Sequence, residues 1–368
     1  MSETRKNPFT PTFGSIPLQL AGRDKIIGDI LDGLDNGPGD PNRATIFIGA
    51  RGSGKTVLLA KIAEEASSRG WISVNVNADP GMLNEILIQI KDNASEFLSP
   101  ESQTYITSLN VGGFGIARGE RQNIRNTTWR SEMTALIKEL NEKSIGLLIT
   151  VDEINIKVDE LRTLIVTFQH FIRERREVAL IMAGLPAKIS DLLRDDSVSF
   201  LRRAFQHHLE NIDENEVRYS LMKTIELAGR EIDKQALDFA VKSTKGFPFM
   251  IQLIGYHIWR QHPEAAIISY EDVDEGVILA HNDMERMIYD STYRDLSDKD
   301  VAFLVAMLDD SEFSKMSDIA KRMNVSSKYA GIYRKRLIDY GIIGDRGYGK
   351  VVFDLPMFRE YVIKRTAE

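Results

Sequence analysis

The sequence predicts an α/β protein with a parallel sheet, followed by an all-helical half, and three observations carry that prediction. Short apolar runs alternate with amphipathic helical stretches as far as about residue 212, the signature of strand–helix–strand units. A glycine-rich segment, Gly49–Thr56, joins one of those runs to a helical stretch. Beyond Asp213 apolar residues recur only at helical spacing, as Ala236, Phe239 and Ala240 do at i, i+3 and i+4.

Taken in order, Ala44–Ile48 reads as a strand and Lys55–Ser68 as the helix after the glycine-rich loop. Trp71–Asn77 is a second strand, Met82–Phe97 a helix, Thr128–Asn141 another, and Ile145–Val151 a third strand. Helix Asp159–Arg173 leads to a strand at Val178–Ala183, and His207–Ile212 is expected to be the last strand. Helices follow at Glu214–Ala228, Lys234–Thr244, Phe249–Gln261 and, as one long connector, Tyr270–Tyr289. From Leu296 onward three short helices and a glycine-bearing hairpin are expected. These elements divide the chain into an α/β domain at 1–212, a helical lid with its connector at 213–294, and a small domain at 295–368.

Composition narrows the class. A chain of 368 residues with 43% hydrophobic and 27% charged residues can bury more than one core. Its apolar runs fall well short of the roughly 18 residues that a membrane span needs, and MSETRKNPFT has no apolar signal region. The absence of cysteine removes disulfides, zinc–thiolate sites and cysteine nucleophiles together. A cytoplasmic address is the expectation. Charge is uneven: Lys315–Glu368 holds 12 Lys/Arg against 6 Asp/Glu, so the chain's overall −7 leaves −13 on residues 1–314. A basic tail on an acidic body suits a local polyanion contact, and a solvated helical surface would look the same.

Gly49-Ala50-Arg51-Gly52-Ser53-Gly54-Lys55-Thr56 fits the phosphate-loop pattern G-x-x-x-x-G-K-[ST] at every fixed position, with a strand before it and a helix after it. Glycines let successive backbone N–H groups and the helix N-terminus face an anion. Lys55, expected to face solvent in an empty site, would neutralise the β- and γ-phosphates, and the Thr56 hydroxyl would ligate Mg²⁺. A metal-side carboxylate is expected at Leu147–Glu153, where an apolar strand ends in two acids at the edge of a parallel sheet. There Asp152 would hold Mg²⁺ through its water shell and Glu153 would orient or deprotonate the attacking water. ATP is the implied ligand. Gly113-Phe114-Gly115 lacks the third glycine of a dinucleotide fingerprint, and His207 and His208 have no third ligand at metal spacing.

The order of these motifs resembles the AAA+ ATPases, and among them the origin-recognition and Cdc-type initiators, along nearly the whole chain. Leu20-Ala21-Gly22-Arg23-Asp24 is similar to the box that this family places by the nucleotide base, which implicates Arg23. Phe200-Leu201-Arg202-Arg203-Ala204-Phe205 matches the position of an arginine finger, with Arg203 ahead of Arg202 as the residue reaching a neighbouring subunit's γ-phosphate; a solvated arginine pair is the alternative. Two departures stand out. Where the family's sensor-one strand carries a polar residue this chain has Met182-Ala183-Gly184, and where a sensor-two arginine is usual it has Gly246-Phe247-Pro248-Phe249-Met250. Fewer polar groups near the γ-phosphate imply binding with slow hydrolysis. Gly246-Phe247-Pro248 is also similar to the lid motif of STAND signalling ATPases, in which the proline, here Pro248, lies by the nucleotide. An insertion around Ser99–Asn126 fits the 97 positions between Lys55 and Asp152, with a glycine-kinked hairpin at Leu109–Ala117.

The tail resembles a winged helix-turn-helix. Met316–Met323 would be its second helix, Ser327–Tyr340 its recognition helix and Gly341–Phe353 the wing, over a core of Ile319, Ala320, Val325, Ile332, Leu337 and Ile342. Lys328, Tyr329, Tyr333, Arg334 and Arg336 would then face a major groove, with Arg346 and Lys350 on flanking phosphates. The whole is expected to be an α/β P-loop NTPase with an all-α lid and a C-terminal winged helix, acting as an ATP-dependent switch on double-stranded DNA, with a neighbouring copy completing the site. The rival expectation is a STAND-like ATPase whose winged helix docks protein or holds the site shut.

Overall fold

Strand β1, Ala44–Ile48, is apolar along its length and takes a central place in a sheet whose neighbours lie on both sides. The computed structural model describes residues 5–12, 14–100 and 129–367. Strands β2 (Ile72–Asn77), β3 (Leu147–Asp152), β4 (Val178–Gly184) and β5 (Phe205–His208) join β1 in the order β2-β3-β4-β1-β5, and every pairing is parallel. Alternate residues serve opposite faces. Ile46, Ile149 and Met182 pack under the helices Met82–Ala94, Trp129–Glu142 and Asp159–Arg173, whereas Phe47, Leu148 and Ile181 pack against Asp24–Asp35 and Lys55–Ser68. A parallel sheet covered on both faces explains why these strands read as unbroken apolar runs.

The last strand lies earlier than the sequence predicts. Pairing with β1 runs from Thr45↔Phe205 to Ile48↔His208, and it stops there because β1 itself ends at Ile48, where the glycine loop begins. Leu209 still donates to the Ile48 carbonyl at 2.7 Å before the chain turns toward the lid. Met82–Ala94 is also shorter than expected. The helices Asp24–Asp35, Pro186–Arg194 and Phe358–Ala367 add to those that the sequence pattern predicts.

The lid helices Glu214–Leu227, Lys234–Thr244 and Pro248–Gln261 lead into Tyr270–Met284. This connector continues through one π-helical turn, Glu285–Tyr289, and a last turn at Asp290–Arg294. A capping box, Ser297 with Asp300, starts the helix Asp298–Met307. Met316–Arg322 and Ser327–Asp339 follow, then the antiparallel pair Ile343–Asp345 and Lys350–Phe353, which Ser314–Lys315 extends to three strands. One apolar cluster runs from Ile212 through Phe247, Ile258, Tyr289 and Phe303 to Phe358 and Val362, so the lid and the last domain share a core. The expected hairpin at Leu109–Ala117 and the Gly113-Phe114-Gly115 segment lie outside the described residues. No helix of the described residues is long and apolar enough to cross a membrane.

Candidate nucleotide site

Between β1 and Lys55–Ser68 the chain must reverse within six residues, and Gly52 and Gly54 adopt φ of +75° and +87° to do so. Both glycines are also contacted from above. A Cβ on Gly52 would lie 2.3 Å from Cζ of the lid residue Phe247, and one on Gly54 would meet Pro248 at 3.8 Å. Gly246 has φ +70°, and a side chain there would strike the Ile212 carbonyl, which is part of the seam where the lid leaves the sheet domain. In that seam Ile212 donates to the Gly246 carbonyl at 2.7 Å. The phosphate loop and the Gly246-Phe247-Pro248 turn are therefore in direct contact.

Lys55 is not turned to solvent. Its half-buried ammonium folds back and donates to the carbonyls of Gly49 and Ala50 at 2.9 and 2.8 Å. Burial pushes this group down, and Asp152 and Glu153 pull it back up, leaving it at about 8. An incoming phosphate would compete with two loop carbonyls for that ammonium. The Thr56 hydroxyl donates to Oδ2 of Asp152 at 2.5 Å, joining the end of the loop to the end of β3. Asp152 is 9% exposed, and its Oδ1 accepts from the Glu153 amide at 2.8 Å. That bond accompanies a left-handed backbone at Glu153, φ +52°, and leaves its carboxylate exposed in the cleft. Two hard oxygen donors in contact beside a phosphate loop suit Mg²⁺, which keeps most of its own waters and accepts one or two protein ligands. Ser53 Oγ is buried with no partner among the described residues.

These groups line one cleft of about 810 Å³ between sheet domain, lid and last domain. Arg51, Gly52, Ser53, Gly54, Lys55, Thr56, Asp152, Glu153, Arg23 and Pro248 all border it. Arg23 is buried, and its guanidinium donates to the Glu210 carbonyl at 2.9 Å, holding the start of Asp24–Asp35 against the loop after β5. Gly49 and Ala50 form the loop's entry, with the Gly49 amide on the Gly184 carbonyl at 3.3 Å. The cleft also takes in residues that the motifs did not indicate: Thr10, Gln252, Lys188 and, from the last domain, Asp339 and Tyr340. Only the three-dimensional assembly brings these together. Thr10 donates its amide to the Gln252 side chain at 3.2 Å, tying the N-terminal segment across the lid.

Arg203 is exposed at the end of the turn Asp196–Arg203 and does not border this cleft. Arg202 beside it is tethered, donating to the Leu193 carbonyl at 2.8 Å. On the helix Ser327–Asp339 the buried positions are Ala330 and Leu337. Ile332, expected in the core, is 59% exposed; the helix turns a different face inward, one centred on Ala330, so Ile332 shares the outer face with Lys328 and Lys335. Tyr329 and Tyr333 bond through their hydroxyls at 2.9 Å. Arg334 pairs with Asp345 at 2.5 Å and Arg346 with Asp354 at 2.8 Å. Arg336 holds the buried Asp300 carboxylate of the capping box, Nε to Oδ1 at 2.9 Å, and Lys350 sits 4.1 Å from the Phe313 ring. No cluster of three or more metal-ligating side chains occurs among the described residues, His207 and His208 included.

By sequence, none of the curated proteins matches the chain. A sequence family described as "Domain of unknown function (DUF8462)" matches residues 286–362. Among solved structures the chain is similar to a Walker-type ATPase of Pyrococcus abyssi, at 12% identity and a TM-score of 0.64, over 96% of this chain and 100% of that one. It is also similar to the ORC2 protein of Aeropyrum pernix in ADPNP–ADP complexes, at 15% identity and a TM-score of 0.59, over 97% and 98% of the two chains. The ADP form of the same protein gives 13% identity and a TM-score of 0.53, over 97% of both chains. Motif order, parallel strand order and this likeness agree along almost the full length, and the chain has the P-loop AAA+ fold of the ORC-like ATPases.

Proposed function

We propose that this protein is an ATP-binding, slowly hydrolysing switch whose last domain contacts double-stranded DNA. The observation that carries the reading is the contact between the phosphate loop and the Phe247–Pro248 turn, in a cleft whose floor holds the joined Thr56 and Asp152. Residues 1–212 would bind nucleotide, 213–294 would close over it, and 295–368 would reach the polyanion. Backbone amides from Gly49 to Thr56 would cradle the phosphates, and Lys55 would leave the Gly49 and Ala50 carbonyls for the β- and γ-oxygens. Thr56 and Asp152 would hold Mg²⁺, which supplies charge neutralisation of the phosphates when bound. Glu153, exposed beside them, would accept a proton from the attacking water. The ADPNP–ADP complexes of the A. pernix ORC2 protein support the nucleotide reading. Arg203, exposed and outside its own cleft, suits delivery to a second copy's γ-phosphate. Met182 and Ala183 are buried and apolar, which supports a low turnover.

Equilibrium binding of ADPNP with Mg²⁺ tests this. Wild type should bind, Lys55→Ala should lose roughly tenfold or more in affinity, and Glu153→Gln should keep binding while hydrolysis stops. Unchanged affinity in Lys55→Ala would remove the site.

One observation favours a second reading. Asp339 and Tyr340 of the last domain border the nucleotide cleft, as expected if that domain holds the site shut in a STAND-like manner and DNA plays no part. Absence of duplex binding at low salt would select it.

A further inference from the structure

We propose that Lys188, the cleft cation outside the phosphate loop that has no partner, is a γ-phosphate ligand of this cleft. The inference rests on the nucleotide reading above and deepens it.

The end of β4 lies between the phosphate loop and the Asp152 tip: Gly184 accepts from the Gly49 amide, and Ala183 accepts from the Ile154 amide at 3.1 Å. A side chain at this place would lie between the loop and the carboxylates, and none can stand there. A Cβ on Gly184 would lie 3.0 Å from Ile189 Cδ1 and 3.1 Å from Ile154 Cβ, while Met182 and Ala183 are buried. The lid supplies no substitute, since the first turn of Pro248–Gln261 carries no charged side chain.

Four cationic residues border the cleft: Arg23, Arg51, Lys55 and Lys188. Arg23 is bound to the Glu210 carbonyl, Arg51 and Lys55 belong to the phosphate loop itself, and Lys188 comes from elsewhere. It sits on the first turn of Pro186–Arg194, four residues beyond Gly184. Its neighbour Ile189 is buried against Gly184, which fixes the helix, and Lys188 is half-buried on the cleft wall. Among the described residues its side chain forms no hydrogen bond or ion pair, although Asp152, Glu153, Asp79 and Asp339 border the same space. A lysine left unpaired in a cleft that also holds a phosphate loop is placed for an anion. An ammonium is a compact point charge on a flexible stem and needs no preset geometry to meet a terminal phosphate.

The test compares two probes, ADP and ADPNP, in Mg²⁺ buffer on wild type, Lys188→Ala and Lys188→Arg. Losing one charge-assisted hydrogen bond to the γ-phosphate should weaken ADPNP by roughly 10- to 100-fold in Lys188→Ala, leave ADP affinity unchanged, and be largely restored in Lys188→Arg. With ATP, Lys188→Ala should also lower kcat. Equal losses for ADP and ADPNP, or none for either, would overturn the assignment while leaving the site intact. Failure of wild type to bind either probe would instead overturn the nucleotide reading on which it rests.

Discussion

Burial holds Lys55 at about 8, against an ordinary 10.5, and the two acids at the end of β3 only partly offset it. The ammonium is the form that attracts phosphate, so binding should demand its proton. Below pH 8 Lys55 is charged with or without ligand, and affinity should be flat; above pH 8 the free protein loses the proton while the complex retains it. ADPNP affinity should then fall by up to about tenfold per pH unit, between pH 8 and 10, and Lys55→Ala should abolish the slope. Isothermal titrations from pH 6.5 to 9.5 measure both. The sign for folding is separate: a lysine depressed in the native state disfavours folding below pH 8, and that cost is relieved as pH rises toward 10.5. At this scale the phosphate loop was legible, because wrapping an anion in main-chain amides demands glycine and lysine at fixed spacing. Lys188 was not, since its meaning depends on a cleft assembled from three parts of the chain. Arg334, Arg336 and Arg346 were legible as charges but not as pairs, because Asp345, Asp300 and Asp354 are brought to them by the fold.

The contact between the loop and the Gly246–Pro248 turn sets how tightly two elements are joined. Gly52→Ala would place a methyl on the Phe247 ring edge and impose a left-handed φ on alanine. We expect a destabilisation of about 1–3 kcal/mol, from strain of roughly 1–2 kcal/mol plus the displaced ring, read as a lower midpoint in urea unfolding. ADPNP binding should weaken as well, since the same turn closes the cleft. Elements with strong periodicity and fixed ends, such as Asp159–Arg173 and Lys234–Thr244, match their expected limits residue for residue. The last strand does not, because its length is decided by where β1 stops and not by its own residues. The inward face of Ser327–Asp339 is ambiguous in sequence for a similar reason: Ala330 and Ile332 are both apolar, and periodicity alone does not say which one meets the neighbouring helices.

Across the whole molecule the acidic body and basic tail remain the strongest argument for a polyanion, but the cations free to meet it differ from those that charge counting selects. Lys328, Ile332 and Lys335 stand at i, i+4 and i+7 on the outer face of the helix Ser327–Asp339, and the two lysines have no partner among the described residues. Arg336 is committed to Asp300. Replacing Lys328 and Lys335 by glutamate should therefore weaken duplex binding across all sequences. It should also reduce the slope of log affinity against log salt by about one for each phosphate that the helix no longer neutralises. Fluorescence anisotropy at several salt concentrations measures this; slopes equal to wild type would exclude that face.

The apolar cluster that passes without a break from Ile212 to Val362 has a mechanical corollary. Tyr289 at the π-helical turn packs edge-on to Phe358 and tilted against Tyr361, ring centroids 5.5 and 5.3 Å apart, so the connector is held against the final helix. Because lid and last domain share that core, a lid that tilted toward a bound nucleotide would carry the final domain with it as one piece.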